Sequence, residues 1–223
     1  MIIKHFGLNE FVVYGLGLLV WLILFIANKK MILSYLNTLL SSKKTGIKTR
    51  YYFSFNPFTP SPKKWEISYK DGIINGMRIQ WHKNGQKQQE CNFKEGKEDG
   101  IRNHWYENGQ QKAEGNYKDD KLDGKVTWWY ENGQIEQETN YKDDKKDGKW
   151  TGWYDNGQKK AEENYKDDKR EGKSIYWHEN GQKEAEENYK DDKLDGKWTV
   201  WYENGQIKSE STYKEGICVS GDC

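Results

Sequence analysis

Two hydrophobic patterns divide the chain. Residues 11–27 are an apolar run without any charged side chain, and Asn28 and two lysines follow it. A run of this length is at the short end of the range that spans a bilayer as an α-helix, about 17 to 25 residues. From Trp65 onward, short segments rich in aromatic residues are separated by Asn-Gly or Asp-Asp pairs, a pattern typical of β-strands joined by turns. The patterns therefore predict a transmembrane helix followed by an all-β region.

The all-β region is periodic. Its Asn-Gly pairs recur every 24 residues, and a fixed period of this size indicates repeated structural units. Asn-Gly between aromatic and β-branched segments predicts a two-residue type I′ hairpin turn, in which both central residues have positive φ. We interpret the Asp-Asp segments, such as residues 119–124, as wider turns between hairpins. The predicted hairpin-turn residues are Asn84, Gly85, Asn108, Gly109, Asn132, Gly133, Asn156, Gly157, Asn180, Gly181, Asn204 and Gly205.

The predicted fold class is an all-β repeat array, an antiparallel β-hairpin meander or ribbon, preceded by an N-terminal transmembrane α-helix. A lone hairpin cannot offset the conformational entropy that it loses on folding, so neighbouring units must stabilise one another. The predicted organisation begins with a membrane anchor at 1–40, which has its helix at about 11–27 and an interfacial helix at 31–40. A basic proline-containing linker follows at 41–64. The repeat region at 65–218 has a half repeat plus six units, and a tail occupies 219–223.

The charge distribution predicts the orientation of the anchor. Residues 1–64 carry nine Lys or Arg against one acidic residue, Glu10, and most of these positive charges follow the apolar run. Because positive charges accumulate on the cytoplasmic side of transmembrane helices, we expect a single-pass membrane protein with a cytoplasmic repeat domain. The alternative is a cleaved signal peptide, with the repeats exported or at the cell surface.

The cysteines predict neither a disulfide framework nor a metal site. Cys91, Cys218 and Cys223 are too few and too unevenly spaced for a framework, and they lack the CxxC pairs of zinc sites. We expect free thiols and no metal or other cofactor. A Cys218–Cys223 bridge is the alternative if the tail lies outside the cytoplasm.

An aromatic pair recurs at one repeat position. If the Asn-Gly turn has two residues, Tyr130 shares a face with Val126, Trp128, Ile135 and Tyr141, and this face resembles a core. Trp129 then shares the opposite face with Thr127, Glu136 and Glu138. The tryptophan row is the predicted partner-binding site, although simple core packing would also explain large rings. Its members are Trp81, Trp105, Trp129, Trp153, Trp177 and Trp201.

Recurring charges do not indicate catalysis or nucleic-acid binding. The Asp-Asp pairs are enclosed by lysines and lack the alternating carboxylates of a calcium loop, so we interpret them as solvated turns. The recurrent glutamates, such as Glu138, should pair with lysines across strands, because acid–base catalysis needs carboxylates in different environments. Basic and acidic residues alternate too evenly for a nucleic-acid-binding surface. We therefore predict no catalytic residues and no enzyme.

The repeat unit resembles a known family. The residues G-K-x-x-x-W-Y-x-N-G-Q, then E, then Y-K-D-D-K-x-D-G are similar to the variant MORN repeat, a β-hairpin repeat of bacterial proteins that include antitoxins of the YwqK family. This resemblance covers roughly residues 65–216. It implies a binding scaffold whose partner is a protein, such as the toxin of a toxin–antitoxin pair.

These observations together predict a membrane-anchored, non-enzymatic scaffold that binds a partner protein, with no nucleic acid and no small-molecule substrate. One alternative is a cell-surface or envelope protein that binds ligands of the choline or glycan type through aromatic cages. Another is a structural spacer, in which the repeats only set a distance from the membrane.

Overall fold

A computed structural model of the chain describes residues 45–53 and 60–223. The predicted helices at 11–27 and 31–40 lie outside these ranges. Within them, no helix has the length and apolar character needed to cross a membrane. The strands are β1 (Gly46–Tyr51), β2 (Lys63–Lys70), β3 (Ile73–Trp81), β4 (Lys87–Lys94), β5 (Lys97–Trp105), β6 (Gln111–Lys118), β7 (Lys121–Trp129), β8 (Ile135–Lys142), β9 (Lys145–Trp153), β10 (Lys159–Lys166), β11 (Lys169–Arg170), β12 (Gly172–Trp177), β13 (Lys183–Lys190), β14 (Lys193–Leu194), β15 (Gly196–Trp201), β16 (Ile207–Lys214) and β17 (Ile217–Gly221).

All 17 strands of the described ranges belong to one antiparallel sheet. Each strand pairs with its neighbours in the chain; β11 and β12 act as one strand interrupted at Glu171, and β14 and β15 as one interrupted at Asp195. This confirms the predicted hairpin meander. Residues 46–51, inside the segment interpreted as a linker, form β1 and pair with β2. At the other end, β17 extends into the segment interpreted as a tail.

The Asn-Gly turns differ from the predicted type I′ turn. Between β7 and β8, the Tyr130 amide donates to the Gln134 carbonyl at 2.8 Å and the Gly133 amide donates to the Tyr130 carbonyl at 2.9 Å. Only the glycine has a positive φ, 85°. The loop is therefore a three-residue type I turn closed by a left-handed glycine. The two-residue prediction was wrong, because Asn132 Oδ1 instead accepts the Gln134 amide at 2.9 Å.

Two-residue type I′ turns occur at the Asp-Asp pairs, where we predicted wider turns. Asp143 and Asp144 both have positive φ, 51° and 68°, and Lys142 pairs directly with Lys145. The Asp144 amide donates to the Leu122 carbonyl at 3.0 Å, and Asp144 Oδ1 accepts the Leu122 amide at 2.7 Å. Both hydrogen bonds join one unit to the preceding one. The same carboxylate–amide bond joins Asp120 to Glu98, Asp168 to Lys146, and Asp192 to Arg170.

Because successive side chains of a strand point to opposite sides, the sheet has two faces. We call them the tryptophan face, which carries the six tryptophans of the predicted row, and the tyrosine face, which carries Tyr141 and its equivalents. Thr127 pairs with Glu138 on the first, and Val126 pairs with Thr139 on the second. The structure corrects the predicted face of one side chain. Ile135 was predicted to share a face with Tyr130, but it pairs directly with Trp129 and therefore lies on the tryptophan face. A β-bulge follows Ile135, and Glu136 is its extra residue.

The described strands form a single layer, so few side chains are fully buried. The buried hydrophobic residues are Cys91, Val126, Ala161 and Tyr189, and small hydroxyl residues such as Thr139 fill similar positions. Contacts between successive units replace a second layer. Tyr130 Oη donates to the Trp153 carbonyl of the next unit at 2.7 Å.

Histidine replaces this tyrosine in two units and preserves the contact. The distance from His82 Nε2 to the Trp105 carbonyl is 3.0 Å, and from His178 Nε2 to the Trp201 carbonyl 3.2 Å. A carbonyl only accepts hydrogen bonds, so Nε2 must carry the proton in both rings. The histidines therefore have a structural role at the predicted tyrosine position.

Candidate interaction surface

The tryptophan face presents half-buried rings under lysine side chains. All six tryptophans of the predicted row are partly exposed. In four units a lysine Nζ from the preceding unit lies over the ring, at 5.2 to 5.8 Å from its centroid. These cation–π pairs are Lys63–Trp81, Lys87–Trp105, Lys159–Trp177 and Lys183–Trp201. The partner-binding role of the row stays a prediction.

Ion pairs on the tryptophan face confirm the predicted lysine–glutamate pairing. Lys125 Nζ lies 2.6 Å from Glu138 Oε1. Glu186 has two lysine partners, Lys173 at 2.6 Å and Lys183 at 2.8 Å. Hydrogen bonds from these two lysines lower the pKa of the Glu186 carboxyl group. The recurrent glutamates therefore hold neighbouring strands together.

The tyrosine face contains a line of residues in direct cross-strand register, which we call the central row. It consists of Lys48, Ile67, Arg78, Cys91, Arg102, Gly115, Val126, Thr139, Trp150, Glu163, Ser174, Glu187, Trp198 and Ser211. Its chemistry changes along the array. The three cations lie in β1, β3 and β5, the two carboxylates lie in β10 and β13, and uncharged side chains lie between them.

Near the N-terminal end of the row, Arg102 is fixed by two partners. Its Nη1 donates to Tyr117 Oη at 2.7 Å, and its Nη2 pairs with the buried carboxylate of Glu98. The neighbouring Cys91 is 1% exposed, and burial raises the pKa of its thiol to about 11. A shallow depression beside Arg102 is lined by His104 and Trp128 among others.

A second cluster surrounds the carboxylates of the row. Glu163 accepts hydrogen bonds from Tyr176 Oη at 2.8 Å and from Tyr165. Glu187 accepts from Tyr189 Oη at 2.6 Å. Burial, and then the hydrogen bonds to the carboxylates, raise the pKa of all three phenols well above its usual value. The phenols are thus held as neutral donors.

These raised pKa values predict loss of stability at alkaline pH. The folded state keeps phenolic protons that the unfolded state releases above about pH 10, so the stabilisation is complete below that pH and falls as the pH rises further. We expect the free energy of unfolding to decline from about pH 10 to pH 12, and to decline less in Tyr176→Phe. Urea unfolding followed by circular dichroism measures it. Tyr202→Phe, at an exposed phenol, is the control, and equal slopes in both variants would contradict the prediction.

The Asp-Asp turns form a structural ladder along one edge of the array. The first aspartate of a turn makes an exposed ion pair, as Asp143 does with Lys121 at 3.2 Å, and the second makes the carboxylate–amide bond to the preceding unit. Among the described residues, no group of three or more His, Cys, Asp or Glu is arranged to hold a metal ion.

Repeat positions on the tyrosine face vary most from unit to unit. The tryptophan of the predicted row and the glutamate nine residues later are the same in all six units. By contrast, the position of Arg102 is filled by Arg78, Arg102, Val126, Trp150, Ser174 and Trp198, and that of His104 by Gln80, His104, Trp128, Gly152, Tyr176 and Val200. Of these residues, only Val126 and Trp128 were named from the sequence, and they were assigned to a core; the variation within the constant 24-residue frame marks the whole set.

The Cys218 and Cys223 sulfurs are bonded as a disulfide, which replaces the expected free thiols at the end of the chain. Cys218 lies in β17, and Ser211 Oγ donates to the Asp222 carbonyl at 2.8 Å, so the last residues are held against β16. Cys91 is a free, buried thiol.

A single-layer hairpin array with a constant 24-residue frame, whose most variable positions lie on one face, defines a β-repeat scaffold. A family model described as "MORN repeat variant" matches six consecutive units, and these segments cover more than half of the chain. They are residues 74–95, 98–119, 122–143, 146–167, 170–191 and 194–215. The chain belongs to the MORN repeat variant family.

Other comparisons add little. Comparison with curated proteins gives no match. Among solved structures, the chain is similar to one titled "Crystal structure of GtfA/B complex bound to UDP and GlcNAc", with 15% sequence identity and a TM-score of 0.18. The match covers 73% of this chain and 27% of that chain, so this protein spans about a quarter of the other's length. A likeness this weak carries no argument about fold or function.

Proposed function

We propose that this chain is a non-enzymatic scaffold that binds a partner protein on the tyrosine face, with residues 11–27 as its membrane anchor. One observation carries the proposal: the side chains that differ between units concentrate on that face. In a repeat array the constant residues maintain stacking between neighbours, whereas the variable ones are free to fit a partner. The scaffold acts by occupying a surface of the partner.

The chemistry of the tyrosine face supports this proposal. Half-buried tryptophan, tyrosine and arginine side chains dominate the residues that carry binding energy at protein interfaces. Trp128, Trp150 and Arg102 have this character; Arg102 and Trp150 lie in one line of the face, and Trp128 lies in the adjacent line. On the tryptophan face, by contrast, lysines of the same chain already lie over four of the rings.

A more specific form of the proposal takes the partner to be a toxin, as the resemblance to YwqK-type antitoxins suggests. The basic residues after the apolar run favour a cytoplasmic repeat domain. The Cys218–Cys223 bond instead favours an exported domain, because such bonds persist in oxidising compartments. A compartment-sensitive reporter fused after Cys223, together with trapping of free thiols in intact cells, decides between the two locations.

Two adjacent tryptophans on opposite faces test which face binds. The full chain, solubilised in detergent and carrying an affinity tag, is used to capture proteins from its native host. We expect Trp128→Ala on the tyrosine face to abolish specific capture and Trp129→Ala on the tryptophan face to retain it. Each variant is compared with the wild type for melting temperature, so that a folding defect is recognised.

Other outcomes revise the proposal. Loss of capture only in Trp129→Ala would support the predicted tryptophan row as the binding surface. Capture of no specific protein by the wild type would overturn the scaffold proposal and leave the spacer interpretation, which deletion of one 24-residue unit would test. A spacer would tolerate that deletion.

A further inference from the structure

The central row has hydrogen-bonding groups that the described part of the chain leaves unsatisfied. Four buried side-chain nitrogen or oxygen atoms there lack a hydrogen-bond partner: Arg78 Nε, Arg102 Nε, Thr139 Oγ1 and Trp198 Nε1. All four belong to the central row. Thr139 is only 2% exposed, so its hydroxyl is closed to bulk water. Buried polar groups are normally paired, so these four atoms mark the central row as the line in which the hydrogen bonding of the sheet is incomplete.

The charges of the row are polarised along the array. Arg78 is half-buried, and its Nε has no hydrogen-bond partner in the described part of the chain. Lys48 lies over the Tyr69 ring at 4.3 Å, and Arg102 is neutralised in part by Glu98. At the other end, Glu163 and Glu187 accept hydrogen bonds from tyrosines and have no lysine partner among the described ion pairs.

Two further cations lie near the acidic end. Lys146 Nζ is 4.7 Å from the centroid of the Tyr165 ring, whose hydroxyl donates to Glu163. The Arg170 guanidinium is 3.9 Å from the Tyr189 centroid, and its Nε is 3.9 Å from Asp192 Oδ1. Arg170 also interacts electrostatically with the Glu163 carboxylate, so part of the negative charge at this end is offset. Between the two charged ends, the row consists of the small Gly115, the buried Val126 and Thr139, and the ring of Trp150.

The two lines of side chains that flank the row are far enough apart for a helix to lie between them. On one side lies the line of Tyr141 and its equivalents, and on the other the line of Tyr130 and its equivalents. Tyr141 pairs with Gly124, which is six residues from Tyr130, so the lines are about 20 Å apart at ~3.4 Å per residue. An α-helix with its side chains is about 10 to 12 Å across and fits between them.

We propose that the central row binds an amphipathic helical segment of a partner protein in one direction, with acidic side chains over Lys48, Arg78 and Arg102 and basic side chains over Glu163 and Glu187. Apolar side chains of the segment pack on the half-buried ring of Trp150. This inference rests on the proposed scaffold function and specifies the chemistry of its partner.

The spacing of the charged ends sets the length of the segment. From Arg78 in β3 to Glu187 in β13 there are nine strand intervals of ~4.8 Å, with β11 and β12 counted as one strand, or about 43 Å. A helix covers this distance in about 29 residues, since it rises ~1.5 Å per residue. With one turn added at each end, the segment has about 36 residues.

The test uses a synthetic helical peptide of about 36 residues as the probe. Its first two turns contain four glutamates, its middle has a leucine and alanine stripe, and its last two turns contain four lysines. Binding to the full chain in detergent is measured by fluorescence anisotropy. We expect saturable binding in the micromolar range, and about tenfold weaker binding to Arg78→Glu. Arg78→Met, which keeps the volume, should weaken binding less than Arg78→Glu does.

A matched control and a swap of charges make the result specific. Lys125→Glu makes the same change of charge on the tryptophan face and should leave the affinity within about twofold of wild type. A probe whose acidic turns are replaced by lysines should bind Arg78→Glu better than it binds the wild type. A photoreactive group at the acidic end of the probe should cross-link to the strands around Arg78 and Arg102.

Several outcomes would overturn the inference: no saturable binding up to about 1 mM, equal losses in Arg78→Glu and Lys125→Glu, or cross-links shared equally between the two ends of the array. If a native partner is captured but its binding is unchanged in Arg78→Glu, the scaffold function stands and the charge-polarised row is wrong. If the probe binds as expected and no native partner is captured, the row stands and the scaffold function lacks support.

Discussion

Replacement of Val126 by aspartate should destabilise the protein by about 3 to 5 kcal/mol, the largest effect that we expect from one substitution. Val126 is 3% exposed and lies between Gly115 and Thr139 in register. A Cβ placed on Gly115 would contact both Val126 methyl carbons at 3.4 Å, so the site has no room for a solvated carboxylate. The aspartate would lose the apolar burial of valine, and Arg102, which lines the same depression, is already paired with Glu98.

The neighbouring lysine provides the control. Lys125→Asp introduces the same residue one position earlier, where the lysine side chain is 58% exposed on the opposite face, and it should cost at most about 1 kcal/mol. Thermal and urea unfolding of the two variants measure the difference. For a chain of this size, a loss of about 4 kcal/mol lowers the melting temperature by roughly 8 to 16 °C. Similar stabilities of the two variants would show that the central row is open to water.

The hairpin array was predictable because its signals are local and repeated. Alternation of aromatic and polar residues, together with turn residues at a fixed interval, specifies strands and connections without knowledge of any tertiary contact. The assignment of Trp129 and Thr127 to one face, and of Val126 and Trp128 to the other, follows from the two-residue period within a single strand. These parts of the prediction needed only one strand at a time.

The turn types were not predictable in this way, because their stabilising partners come from other units. Asn132 Nδ2 donates to the Asp155 carbonyl at 2.9 Å, one unit further along the chain. Asp144 accepts the Leu122 amide from the preceding unit. Intrinsic preference favours positive φ at Asn-Gly over Asp-Asp, and these hydrogen bonds between units outweigh that preference. The resulting change of loop length moved Ile135 to the other face.

The candidate site was missed for a related reason. Recurrence along the sequence selects the tryptophans and glutamates that hold neighbouring units together. Recognition of a partner needs side chains that differ, such as Arg78, Val126 and Glu163, and these become a surface only when the sheet places them in one row. The constant frame therefore describes the stability of the array, and departures from it describe its binding surface.

Substitution of the second aspartate in a type I′ turn should show whether the Asp-Asp turns join successive units or bind an ion. We expect Asp144→Val to destabilise the protein by about 3 kcal/mol. Roughly 1 to 2 kcal/mol arises because a β-branched residue must adopt the positive φ, and about 1 to 3 kcal/mol because the Leu122 amide loses its carboxylate acceptor. Asp144→Asn keeps an oxygen acceptor and tolerates this backbone conformation, so its cost should stay below about 1 kcal/mol. Urea unfolding of both variants measures these costs.

The first aspartate of the same turn is the matched control. Asp143→Asn also places asparagine at a positive φ, but it removes only the exposed ion pair to Lys121, and its cost should be at most about 1 kcal/mol. Because the ladder is made of amides and lysines, calcium or a chelator should leave the melting temperature of the wild type unchanged. A calcium-dependent rise that Asp143→Asn and Asp144→Asn both abolish would show that the turns bind the ion. A loss of stability in Asp144→Val alone, without any effect of calcium, would show that the turns stabilise the contact between units.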